Sequence, residues 1–228
     1  MARRLSAMST DDVLLDFGRA ERIGFDEAIF CPGKSRAQLI EILHRAQERG
    51  ASLLLTRLSS AQREALPVEL SQALDYEPVS RTAFFGPLRP EVGPARIAVV
   101  AAGSSDAFVT WEILRTLRSL GVPATAVQDV GVAGLWRLLD KLELIKSHPV
   151  AVVVAGMDAA LPTVLGGLYG GVIVAVPTST GYGVAEGGHT ALNAILASCA
   201  PGVMTVNIDN GYGAACAAVR VLRAMDRR

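Results

Sequence analysis

The sequence predicts an α/β protein: a flavodoxin-like, doubly wound parallel sheet in a three-layer αβα arrangement, preceded by a smaller N-terminal α/β domain. Three observations carry this. After residue 90, five apolar runs, RIAVVAAG, ATAVQDVG, PVAVVVAG, GVIVAVPTS and GVMTVNIDN, alternate with five helical segments, which is the pattern of parallel strands joined by right-handed crossovers. The third and fourth runs are continuously apolar rather than alternating, as strands covered on both faces require. Finally, FFGPLRPEVGPAR carries Gly86, Pro87, Pro90, Gly93 and Pro94, which interrupt any helix or interior strand. The boundary is therefore placed near residue 90, giving domains 1–90 and 91–228. Strand order is not readable from periodicity.

In the small domain, AIFCPG reads as a strand. Ser35 reads as the N-cap of a helix to about Glu48, with Leu39, Ile40, Leu43 and Ala46 on its apolar face and Gly50 as its stop. A second strand, SLLLTRLS, a short helix and a third strand near SRTAFF complete the unit. In the larger domain the last helix, GAACAAVRVLRAM, has small residues at Ala214, Ala215, Ala217 and Ala218 that permit close helix packing.

Composition narrows the function classes. Half of the 228 residues are hydrophobic, enough for a substantial core. Twenty-two basic and 22 acidic residues cancel, and no basic run extends beyond Arg227 and Arg228, so the footprint of a nucleic-acid binder is missing. No apolar stretch approaches the ~20 residues of a spanning helix, and MARRLSAMSTDD lacks the apolar centre of a secretory signal. The expectation is a cytoplasmic, soluble protein with a small-molecule site and no membrane partner. Cys31, Cys199 and Cys216 are widely spaced and include no C-x-x-C pair, which argues against a disulfide framework and against a zinc site.

In doubly wound sheets ligands bind beyond the carboxyl ends of the strands. Here strand one ends in AGSSD, where Gly103, Ser104, Ser105 and Asp106 open a helix, a seat suited to phosphate; Ser105 or Asp106 acting only as helix cap is the plainer account. Strand two ends in DVGVAG with Asp129, and strand three in AGMDAALP with Asp158. Strand four ends in PTSTGYGVAEGGH, bringing Thr178, Ser179, Gly181, Tyr182 and Gly183, and strand five in NIDNGYG with Asn207. A glycine-rich loop of that length is rarely mere connection. Cys199 lies in LASCAPG at the end of the fourth helix; position alone favours a buried structural cysteine, since helix C-termini do not lower a thiol pKa. His44 and His148 read as solvated side chains without a partner, and His189, in the glycine loop, as a weak site candidate.

Taken together, LLDFGRAERIGFDEAIFCPGKS, AGSSD, DVGVAGL, AGMDAALP, AVPTSTGYG, SCAPG and VNIDNGYGAA, spanning roughly residues 13 to 222, resemble the LarB family of carboxylase–hydrolases in nickel-pincer nucleotide biosynthesis. The resemblance implies a reaction on nicotinate adenine dinucleotide. Carbon dioxide, drawn from bicarbonate, is added at ring position 5 and the phosphoanhydride is hydrolysed, giving pyridinium-3,5-dicarboxylate mononucleotide and AMP. It implies no tightly bound cofactor and no metal ligands; magnesium is admitted as an aid to hydrolysis, although no ligand set establishes it. Cys199 would be the nucleophile and Asp158 the base. Ser104, Ser105 and the Gly181–Gly183 loop would seat phosphate, Asp106 a ribose hydroxyl, and Thr178 and Ser179 a carboxylate or phosphate.

The larger domain is also similar to aminoimidazole ribonucleotide carboxylases and mutases of the PurE type, which keep a histidine in A-A-H-L-P where this chain has Ala160. In LarB proteins position 158 is by resemblance glutamate; aspartate keeps the carboxylate with shorter reach. PurE-like relatives form symmetric oligomers, so a homo-oligomer, an octamer on that pattern, is expected. The alternatives are a PurE-like carboxylase or mutase and a noncatalytic nucleotide-binding module, which a buried, inert Cys199 would favour.

Overall fold

The computed structural model describes residues 13–227; the opening segment read above for a secretory signal, and Arg228, lie outside the described residues. The chain divides into two compact units, Met1–Leu88 and Arg89–Arg228. In chain order the first contains α1 (Arg19–Ile23), β1 (Ala28–Phe30), α2 (Arg36–Glu48), β2 (Leu53–Thr56), α3 (Ser60–Glu64), α4 (Val68–Gln72), β3 (Asp75–Glu77) and β4 (Thr82–Phe85). Its sheet runs β1-β2-β4-β3, with β1 parallel to β2 and the other pairs antiparallel.

Helix α2 starts where Ser35 predicts. The Ser35 hydroxyl accepts from the Gln38 amide, and the Gln38 side chain accepts from the Ser35 amide, a reciprocal cap of about 1 kcal/mol. Its buried stripe is Leu39, Ile42, Leu43 and Ala46. Ile42, one helical turn from Leu39, takes the inward place expected of Ile40, which is only partly buried. Cys31 is fully enclosed, and burial pushes its thiol up to about 12, so it stays protonated and inert. Strand β3, whose sequence is Asp-Tyr-Glu, escapes a reading based on apolarity because it is short and lies at the sheet edge.

The second unit contains β5 (Ile97–Ala101), α5 (Ala107–Ser119), β6 (Ala124–Val127), α6 (Leu135–Lys146), β7 (Val150–Ala155), α7 (Ala160–Gly166), β8 (Val172–Pro177), α8 (His189–Leu196), β9 (Met204–Thr205) and α9 (Gly211–Met225). All pairs are parallel, in the order β6-β5-β7-β8-β9, the flavodoxin-like doubly wound arrangement. Every residue of β5 and β7 is buried, and each enclosed Val contributes about 1.5–3 kcal/mol of transfer free energy. The chain steps from β5 out to β6 and then crosses back to β7, so winding reverses between β5 and β7. That reversal opens a crevice at the carboxyl ends of these two strands.

One sequence reading is corrected by the structure. His148 is not a solvated side chain: its ring is 5% exposed, with one nitrogen 2.9 Å from the Leu144 carbonyl and the other 2.7 Å from the Thr125 hydroxyl. It ties the end of α6 to β6. The alanines of α9 permit close helix packing, as the sequence reading has it: Ala214, Ala215 and Ala218 are buried where α9 meets α5, β7 and β8. Among the described residues no helix is long and apolar enough to cross a membrane.

Candidate active site

The crevice between β5 and β7 is a cleft of about 260 Å³ lined from four strand ends. Strand β5 contributes Ala102, Gly103, Ser105 and Asp106; β6 contributes Gly131 to Ala133; β7 contributes Ala155 to Leu161; and the loop after β8 contributes Thr180. Asp106 and Asp158 are the only titratable side chains among these lining residues.

Asp106 holds the cleft together. It is 3% exposed, and one carboxylate oxygen accepts from the Thr178 hydroxyl at 2.6 Å while the other accepts from the Gly103 amide at 3.1 Å. The carboxylate thus straps the end of β5 to the end of β8 instead of capping α5, whose N-cap has no side-chain bond. Burial raises its pKa above the usual carboxylate value, and the bonds from Thr178 and Gly103 pull it back down. Thr178 is itself fully buried, so in this geometry both residues form the support behind the cleft.

A second strap, which the sequence did not disclose, runs through Thr180. Its hydroxyl donates to the Ser105 carbonyl at 3.1 Å and its own carbonyl accepts from the Met157 amide at 2.8 Å. Gly156 is needed for that approach: a Cβ there would lie 2.4 Å from the Thr180 carbonyl oxygen and 2.6 Å from the Thr178 hydroxyl. Gly188 closes the same loop at φ +79°, where a Cβ would meet the Thr178 carbonyl oxygen at 2.7 Å.

The strand ends are also strained. Asp129, Met157, Ala159 and Asp209 adopt positive φ of 58°, 55°, 46° and 56°, a conformation that side chains other than glycine rarely take and that costs about 1–3 kcal/mol per residue. All four lie on the rim. At Asp209 the side chain offsets part of that cost by accepting from the Ser179 amide at 2.7 Å. Asp129 points outward to Arg137 at 2.5 Å.

The remaining sequence candidates are spread around this core. Ser104 and Ser105 are exposed at the turn leading into α5, although only Ser105 lines the cleft. Asp158 is exposed, with one oxygen 3.4 Å from the Ala160 amide at the start of α7. Gly181, Tyr182 and Gly183 follow Thr180, and Tyr182 is open to solvent. Asn207 is exposed beyond β9 and its side chain accepts from the Ile208 amide. His189 opens α8, outside the cleft lining. Among the described residues no group of three or more His, Cys, Asp or Glu side chains could hold a metal ion.

Cys199 is exposed, whereas Cys31 is buried and Cys216 half-buried. It does not line the cleft of its own chain. It belongs to the segment between α8 and β9, which leads into the amino end of β9 at Met204, opposite Val174 in the middle of β8. That is the amino edge of the sheet, and the cleft is at the carboxyl edge. The segment rests on α7: the Thr163 hydroxyl donates to the Ser198 hydroxyl at 2.7 Å, and Gly166 leaves room for Ala200, whose methyl would lie 2.7 Å from a Cβ there.

Comparison with known proteins gives a consistent family. Residues 9–87 match the LarB/PurE-like N-terminal domain and residues 96–228 match AIR carboxylase. The uncharacterized protein MJ0165 of Methanocaldococcus jannaschii is 31% identical over 220 residues, covering 93% of this chain and 85% of that one. The crystal structure of a singly substituted Treponema denticola PurE2 aligns with a TM-score of 0.48 at 17% identity, over 57% of this chain and 81% of that chain. With a LarB-type N-terminal domain followed by an AIR carboxylase domain whose strand ends form the cleft, the chain belongs to the LarB family of carboxylase-type enzymes.

Proposed function

We propose that this chain carboxylates the pyridinium ring of nicotinate adenine dinucleotide at position 5 and hydrolyses its phosphoanhydride, releasing pyridinium-3,5-dicarboxylate mononucleotide and AMP. The observation that carries the reading is the chemistry left available. Ala160 stands in the cleft where PurE enzymes keep their histidine, so the one accessible acid or base in the lining is Asp158, and the one exposed thiol is Cys199.

The ring requires both groups. A pyridinium is electron-poor and cannot attack carbon dioxide as it stands. The Cys199 thiolate gives an electron pair to the ring carbon next to position 5, and a ring π pair moves onto nitrogen, leaving a neutral dihydropyridine with an enamine. Carbon 5 of that enamine then bonds to the carbon of carbon dioxide. Asp158 takes the proton from carbon 5 and passes it to water. Expulsion of the thiolate finally restores the aromatic ring, with no oxidant or reductant consumed. A cationic ring beside Cys199 favours thiolate formation.

At about 260 Å³ the cleft is smaller than the ~300–1,000 Å³ typical of ligand sites. The ring and its ribose occupy it, and the phosphates extend toward Ser104, Ser105 and the loop from Gly181 to Gly183. Asp106 and Thr178, engaged with each other, hold that loop in place. NAD, which bears an amide in place of the ring carboxylate, tests the first step by stalling those that follow. Incubation should add its mass to the wild-type protein and produce a near-ultraviolet dihydropyridine band, with neither in Cys199→Ser. Adduct formation in that variant would remove Cys199 from the reaction.

A further inference from the structure

We infer that Thr163 and Ser198 are positioning residues for the reaction: together they hold the Cys199 thiol in the direction from which it meets the ring. This rests on Cys199 being the nucleophile, as proposed above. Neither residue belongs to the cleft lining. Both act through the turn that carries the thiol.

The sequence Ala-Ser-Cys-Ala-Pro-Gly places Cys199 between the end of α8 and a bend at Pro201 and Gly202, where Gly202 adopts φ +81°. A connecting segment of this kind is ordinarily mobile; this one is fixed at three points. The amides of Ala197 and Ser198 bond to the Asn193 and Ile195 carbonyls at 2.9 and 3.1 Å, which extends the order of α8 up to Ser198. The Ser198 hydroxyl accepts from the Ala200 amide at 3.1 Å, closing a ring that spans Cys199 and restricts its backbone. The same hydroxyl accepts from the Thr163 hydroxyl at 2.7 Å, which ties that ring to α7.

A helical threonine can satisfy its hydroxyl on a carbonyl one turn back. Thr163, in the middle of α7, gives it instead to a residue 35 positions later. Gly166, one turn further along α7, completes the seat: a Cβ there would lie 2.7 Å from the Ala200 methyl, so Ala200 rests directly on the helix. The residues on both sides of Cys199 are therefore tied to α7, while the thiol between them is exposed. Addition of sulfur to a ring carbon needs this order, because a displacement of about 1 Å at the reacting atom costs about 10²-fold in rate.

Three variants disturb this seat and leave the thiol in place. Thr163→Val removes the donor at nearly constant shape, and Ser198→Ala removes the acceptor, so that either decides the matter should the other not fold. Gly166→Ala displaces Ala200 while favouring the helix. Each should slow adduct formation with NAD, followed as added mass and as the near-ultraviolet band, by about 10–100-fold. The kcat for carboxylation of nicotinate adenine dinucleotide should fall with it at unchanged KM. Thr163→Ser, which keeps the hydroxyl, should restore both rates. Iodoacetamide, a small reagent able to approach from any side, should label Cys199 in every variant at the wild-type rate, which separates a misdirected thiol from an altered or unfolded one. Adduct formation at the wild-type rate in Thr163→Val or Ser198→Ala, a raised KM at constant kcat, or alkylation that slows in step with the adduct overturns the positioning role and leaves the reaction standing. Wild-type protein that forms no adduct overturns the reaction itself, and the inference with it.

Discussion

Replacing Thr178 by valine tests the strap that shapes the cleft. Valine has nearly the shape of threonine, so the change removes little but the hydroxyl that donates to Asp106 at 2.6 Å. Both residues are enclosed, at 0% and 3% exposure, and water cannot replace the lost donor. Depriving a buried carboxylate of one partner costs about 1–3 kcal/mol, which for a chain of this size lowers Tm by about 2–12 °C. The cost depends on pH. Burial already raises the folded pKa of Asp106 above its ordinary value of 3.8, and Thr178 is the foremost influence opposing it. Without Thr178 the folded pKa rises further. A carboxyl whose folded pKa is raised destabilises the fold only as it ionises, so the added loss is small at low pH, grows as pH rises through the wild-type folded pKa, and is complete above the variant's. Thermal melts of wild type and Thr178→Val at pH 4 and pH 8 should differ more at pH 8. Thr178→Ser, which keeps the donor and gives up a buried methyl, should lose about 0.8 kcal/mol at both. A Thr178→Val loss equal at the two pH values would refute the strap.

Gly156→Ala should destabilise by about 1–3 kcal/mol through its clash with Thr180 and Thr178 and weaken nucleotide binding in calorimetry, since the loop after β8 must shift. Asp158→Asn should keep nucleotide affinity and reduce carboxylation by about 10²–10⁴-fold, measured as turnover against a separate binding isotherm. With the folded protein, a maleimide should modify Cys199 well before Cys216 and leave Cys31 untouched until denaturant is added, as peptide mass mapping would report; equal rates at Cys31 and Cys199 would contradict the burial of Cys31. His148→Phe should cost about 1–3 kcal/mol by taking from the Thr125 hydroxyl its 2.7 Å partner and cutting the tie between the end of α6 and β6, seen as a lower Tm.

The larger unit was legible in sequence because its strands are buried on both faces and therefore spell out continuous apolar runs, with β7 and β8 the plainest. Polar, short elements were not: β3 is Asp-Tyr-Glu at an edge, and β9 keeps only Met204 and Thr205 of a run that looked longer. Rim residues could be named because strand ends follow from the fold, but what each side chain does there could not. Asp106 resembled a ligand contact or a helix cap, and only the approach of Thr178, 72 residues away, reveals a strap. Thr180 and Gly156 left no signal, since a close backbone approach is invisible until both strands are placed. For Cys199 a signal did exist. A residue between a helix and the next parallel strand lies at the amino edge of the sheet, away from the strand ends where ligands bind.

The most direct test of the account is the fate of labelled carbon. Purified protein given nicotinate adenine dinucleotide and labelled bicarbonate should place the label in the pyridine ring of a mononucleotide, matched mole for mole by AMP, and Cys199→Ser should yield neither product. An unlabelled ring with intact dinucleotide, or label incorporated equally well by Cys199→Ser, would contradict it.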